Sequence, residues 1–139
     1  MGRIMAIDYG GKKTGIAVTD PLQIIANGLD TVRTHDLFDF LKEYTEREEV
    51  IGFVVGEPLN MDGTETHNTQ PVQRFVNRLK KLYPVIPITM IDERMTSVEA
   101  KQIILKSGAK KKKRRDKSLV DKVSAVLILQ EYMRINNPI

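Results

Sequence analysis

The sequence predicts an α/β fold, a three-layer sandwich in which helices flank a mixed, mostly five-stranded sheet. Three observations predict it. Short β-branched runs open the chain and are joined by turns too brief for a crossover, so these strands must pair antiparallel. Thereafter apolar runs alternate with segments of helical spacing, the order that lays strands parallel to their neighbours. The 139 residues, 41% hydrophobic, suffice for one core and a single domain over 1–139.

Arg3 to Ile7 and Thr14 to Thr19 form a hairpin around Gly10 and Gly11, and Ile24 to Val32 makes a third strand interrupted at Asn27 and Gly28. Leu37, Phe40, Leu41 and Tyr44 fall at helical spacing, and that helix ends within the charged stretch Glu46 to Glu49. Val50 to Gly56 is a continuous apolar run, as in a buried central strand, and Glu57 and Pro58 stop it. Asn60 to Asn68 is polar and turn-rich, either a lid over a site or a plain connection. Val72, Phe75, Val76, Leu79 and Leu82 give a second helix, followed by a strand from Ile86 to Ile91 that ends on Asp92, Glu93 and Arg94. Thr96 and Glu99 fit a capping box, and Ser107 and Gly108 close the helix it opens. Ser118 is read as the cap of the last helix, which runs through Val123, Val126, Leu127 and Met133 to Asn136.

With no cysteine, the chain has neither disulfides nor a thiolate zinc site, so any metal must sit on oxygen or histidine. The apolar run before Asp8 is too short for a signal peptide, and no segment is long enough to span a bilayer, so a cytoplasmic protein with no membrane partner is expected. The net charge is +4, yet Lys110, Lys111, Lys112, Lys113, Arg114 and Arg115 are consecutive; without those six it is −2. Such a local run attracts polyanions, and the reading preferred over a solvated loop is contact with a nucleic-acid backbone.

Asp8 ends an apolar strand just before a glycine turn. Aspartate is depleted in strands, so it either caps the turn or serves a site. Asp92 and Glu93 repeat the arrangement, with Arg94 available as an ion-pair partner. Neighbouring strand residues face opposite sides, so only one of these two enters a common cluster if the segment stays extended. Glu57 ends another buried strand and competes for the same role; the residues alone leave that choice open. Asp121 falls in the first turn of the last helix if Ser118 is its cap, where the helix dipole alone would favour it. Gathered at one sheet edge, such acids offer oxygen ligands to Mg²⁺, with Mn²⁺ as substitute. His35 and His67 stand isolated in polar segments and read as surface residues.

The stretches from Asp8 through Gly10, Lys12, Lys13 and Gly15, from Val54 through Gly56, Pro58, Asn60 and Gly63, from Asp92 to Thr96, and Asp121 with Ala125 closely resemble the YqgF family, also called RuvX. The resemblance covers essentially the whole chain. It implies a ribonuclease H-like fold, which the element order also matches, and a bacterial nuclease related to the RuvC Holliday-junction resolvase. Members are labelled Holliday junction resolvases and are also assigned to 5′-end maturation of precursor 16S rRNA. Carried over by position, the resemblance implies Asp8, Glu93 and Asp121 as catalytic, metal-binding acids, with Asp92 beside them. Lys13 stands where the family usually has arginine, losing bidentate phosphate recognition, and Glu57 where it commonly has an apolar residue.

Lys12 and Lys13 are expected to contact phosphate near the metals, and residues 110–115 to grip backbone farther away. Expected partners are precursor ribosomal RNA or branched DNA, and ribosomal particles, with the chain a monomer or homodimer. Aromatics make up only 6% of the chain, which argues against base stacking as the main source of recognition. Two other classes compete: an ATP-binding domain of the actin and sugar-kinase type, which needs two such domains where this length supplies one, and a non-catalytic RNA-binding or ribosome-assembly module.

Overall fold

The computed structural model describes residues 2–93, 96–106 and 117–136. The expected basic contact at 110–115, the helix stop at Ser107 and Gly108, and the Arg94 partner lie outside the described residues. Strands β1 (Arg3–Asp8), β2 (Lys13–Thr19) and β3 (Ala26–Arg33) lead through a short 3-10 turn, Thr34–Asp36, into α1 (Leu37–Arg47). Then come β4 (Val50–Glu57), α2 (Thr69–Leu82), β5 (Ile88–Asp92), α3 (Thr96–Lys106) and α4 (Lys117–Asn136). The sheet order is β3-β2-β1-β4-β5; the first three strands pair antiparallel, and β1, β4 and β5 run parallel.

The strand period separates two cores. Met5, Ile7, Ile16, Phe53 and Val55 pack under α1 and α2, which contribute Leu37, Leu41, Val72, Phe75 and Leu79. Ile4, Ala6, Ala17, Val54 and Ile91 face the other way, under Ala125, Ile128 and Leu129 of α4. Each helix meets the sheet through residues three or four apart, the spacing of one helical face. Ala100 and Ile104 of α3 pack in turn on Val120 of α4. The α4 side of the sheet is built from smaller residues than the α1 and α2 side, and this lets a twenty-residue helix lie close to the strands.

Several sequence expectations shift. The strand expected from Ile86 begins at Ile88, the Ile86 N–H donating instead to the Tyr83 carbonyl at 3.2 Å, and Thr96 lies within α3 and is not its cap. The third strand begins at Ala26, because the Asp20 carboxylate accepts N–H bonds from Leu22, Ile24 and Ile25 and bends that stretch into an exposed turn. Helix α4 begins at Lys117, so Ser118 lies inside the helix and is not its cap. Asp121 consequently opens the second turn, and no acid stands in the first, where the helix dipole would have accounted for one.

Candidate active site

Alternation along the strands decides which acids share a face. Carrying each period one step beyond the α4-side core places Asp8, Gly15, Gly56 and Glu93 under α4. The same count puts Glu57 and Asp92, register partners across β4 and β5, on the opposite side. Glu93 stands just past the end of β5, and its N–H extends the ladder by donating to the Glu57 carbonyl at 3.2 Å.

Two glycines make the convergence possible. Gly15 is the register partner of Asp8, and a Cβ there would lie 2.1 Å from the main-chain oxygen of Asp121. A Cβ on Gly56 would lie 2.4 Å from Oε2 of Glu93. The bare backbone of β2 thus admits α4, and the bare backbone of β4 admits a carboxyl group.

That carboxyl is hydrogen-bonded to Asp8. Burial is the largest influence on Glu93, followed by the Asp8 charge, the Asp8 hydrogen bond and the charge of Asp92, and together they push its pKa up to about 10. Near neutral pH the Asp8–Glu93 pair therefore holds a proton between them. Asp121 is 8% exposed and lines the same cleft, of about 480 Å³, as Asp8 and Glu93. The cleft sits outside the carboxyl ends of the parallel strands β1, β4 and β5, where open α/β sheets bind their ligands.

The opposite wall is the segment between β4 and α2. It closes on itself through Asn60 N–H to the Thr64 carbonyl at 2.8 Å, and Asn68 Nδ2 ties it to the carbonyl of Tyr9 at 2.8 Å. Thr66, His67 and Asn68 thereby line the cleft facing the acids. His67 is exposed, as expected of a surface residue, but it is not isolated: it borders the acid cleft, a proximity no local pattern signals. His35 is exposed and pairs with Asp36 at 3.3 Å. Lys12 and Lys13 are exposed and stand beside the cleft without lining it.

The donor set suits a hard cation. No three His, Asp or Glu groups among the described residues are gathered tightly enough to hold one ion as they stand. Mg²⁺, however, commonly takes only one or two carboxylates and fills its remaining positions with water and substrate phosphate. Asp8 and Glu93, already in contact around a proton, provide such a pair, and a cation in place of that proton would offset the burial and the repulsion that together raise the Glu93 pKa.

The model of the RuvX family, described as Holliday junction resolvase, matches residues 2–135. The chain belongs to the RuvX family. Among curated relatives, one from Phocaeicola vulgatus is 54% identical over 133 residues, covering 96% of each chain. Another, from Porphyromonas gingivalis, is 54% identical over 138 residues, covering 99% of each. Both carry the name "Putative pre-16S rRNA nuclease". Among solved structures, Thermus thermophilus RuvC in complex with Holliday junction substrate superposes with a TM-score of 0.58 at 17% identity, covering 97% of this chain and 96% of that one. This likeness gives the RuvX chain its ribonuclease H-like fold.

Proposed function

We propose that this RuvX chain is a divalent-metal-dependent nuclease that hydrolyses phosphodiester bonds in the 5′-end maturation of precursor 16S rRNA. The observation that carries the reading is the contact between the half-buried carboxyls of Asp8 and Glu93, with Asp121 on the same cleft. Relatives covering nearly the same length bear the pre-16S rRNA nuclease name, which supports the choice of substrate.

In this reading Asp8 and Glu93 would hold Mg²⁺, or Mn²⁺ in its place, with Asp121 on the same cleft completing the acidic set. Such an ion, when held there, would supply a lowered water pKa and charge neutralisation at the leaving oxygen. The chain's own residues supply the rest. Gly56 and Gly15 set the position of the acids, and a cation entering between Asp8 and Glu93 would take the place of the proton they share. Thr66, His67 and Asn68 form the wall against which a strand is held. Lys12, Lys13 and the run at 110–115 contact backbone phosphates, giving affinity without reading sequence.

No described helix is long and apolar enough to cross a membrane. The reading takes the chain as a single-domain cytoplasmic enzyme that meets its RNA on ribosomal particles. A second reading, resolution of branched DNA, is favoured by the description of the family model. A side-by-side assay with precursor 16S rRNA and four-way DNA junctions, wild type against Asp8→Asn, separates the two. Mg²⁺-dependent cutting of the RNA alone supports the proposal, cutting of the junction alone supports the second reading, and cutting of neither leaves a non-catalytic RNA-binding module.

A further inference from the structure

Next to the acid cleft is a second concavity of about 390 Å³, lined by Gly11, Lys12, Lys13, Arg33 and His35; Asp36, which pairs with His35 at 3.3 Å, is not among the lining residues. Gly11 borders both. Lys13 and Arg33 are register partners where β2 and β3 meet the edge of the molecule. That register sets the two side chains next to each other on one face, and both line the concavity.

The backbone beneath these cations is firmly held. Thr34 Oγ1 donates to the Gly10 carbonyl at 2.6 Å and stands 2.9 Å from Oγ1 of the fully buried Thr14. The Thr34 N–H donates to the Lys12 carbonyl at 2.9 Å. These bonds fasten the turn that follows Asp8 to the end of β3. The cationic side chains remain exposed above a fixed frame, and Arg33 adds the planar, bidentate fork that Lys13 lacks.

We propose that Lys12, Lys13, Arg33 and His35 form a subsite for a backbone phosphate flanking the one at the acid cleft, so that a bound strand crosses Gly11 from one concavity to the other. The subsite rests on the nuclease reading of the cleft and extends it, because Arg33 and His35 come from a strand and a turn that carry none of the acids. A phosphate held there fixes the register of the strand over Asp8 without selecting its sequence.

The test is fluorescence anisotropy of the full chain with a short labelled single-stranded RNA, and with the same sequence as single-stranded DNA, in chelator so that nothing is cut, across a salt series. Arg33→Gln is compared with wild type and with Lys42→Gln, which removes an exposed charge from α1. The expected result is a loss of affinity of about fivefold at 0.1 M salt and a log–log salt slope shallower by about 0.7, the contribution of one phosphate contact to a single strand. Lys42→Gln leaves both unchanged, and Arg33→Lys, which keeps the charge and loses the fork, falls between. The same loss on RNA and DNA identifies the phosphate as the shared ligand; a loss on RNA alone, or on DNA alone, contradicts a phosphate subsite. Wild-type affinity and slope in a folded Arg33→Gln protein would overturn the subsite and leave the nuclease reading standing. Failure of the wild type to bind either strand would sink both.

Discussion

Glu93 and Asp8 share a hydrogen bond across the full width of the strand between them, reaching over Gly56 of β4 from β5 on one side and β1 on the other. Two carboxyl groups in contact in a largely buried setting cannot both be charged cheaply, so the arrangement stores a demand for either a proton or a cation. That demand links the fold to the proposed chemistry.

The Glu93 pKa is raised in the folded chain from 4.5 to about 10, so the folded state binds more protons than the unfolded one between those values. The stabilising effect of that proton is complete below about pH 4.5 and is lost as pH rises through the folded pKa, by up to about 1.4 kcal/mol per pH unit. Thermal melts in chelator should therefore show falling stability from pH 5 to pH 9, with Glu93→Gln flattening the decline and Mg²⁺ opposing it in the wild type. An unchanged slope in Glu93→Gln would place the titration elsewhere.

Gly56→Ala should separate activity from folding. Its Cβ would meet Oε2 of Glu93 at 2.4 Å and Cδ1 of Ile128 at 2.8 Å, both at the ends of flexible side chains that can move aside. We expect a stability cost of about 1 kcal/mol, at the low end for overpacking. Displacing the carboxyl by about 1 Å should lower the cleavage rate by about a hundredfold. A variant with wild-type rate would show that Glu93 need not lie over β4.

Gly15→Ala should be the more damaging change. Here the added Cβ would meet main-chain atoms, the carbonyl oxygen of Asp121 at 2.1 Å and its carbon at 2.5 Å, so α4 itself must shift. Gly28→Ala presses only on the Lys122 side chain at 2.8 Å, which can swing away. Chemical denaturation should give a loss of about 3 kcal/mol for the first and under about 1 kcal/mol for the second. Equal losses would mean that the approach of α4 to β2 is not what Gly15 secures.

The sheet and the position of Asp8 could be read directly from the sequence, because an acid ending a β-branched apolar run is locally anomalous. The ranking of Asp92, Glu93 and Glu57 could not. Alternation separates Asp92 from Glu93, but which of them faces α4 depends on the phase of β5 relative to β1, and pairing across β4 fixes that phase. The true start of α4 is not legible locally, because a serine before an amphipathic run resembles a cap wherever the helix begins. Gly15 and Gly56 read as ordinary strand interruptions, since the atoms that exclude a side chain there come from residues far along the chain. His67 reaches the cleft through the bond from Asn68 to Tyr9, a contact between positions 59 residues apart.

The most direct measurement is the rate at which folded Asp8→Asn protein cleaves precursor 16S rRNA in Mg²⁺, relative to wild type in Mg²⁺ and in chelator. The account predicts a drop of about a hundredfold or more for the variant, with circular dichroism unchanged, and loss of wild-type cutting in chelator. Cleavage at the wild-type rate by Asp8→Asn, or wild-type cleavage that persists in chelator, would contradict it.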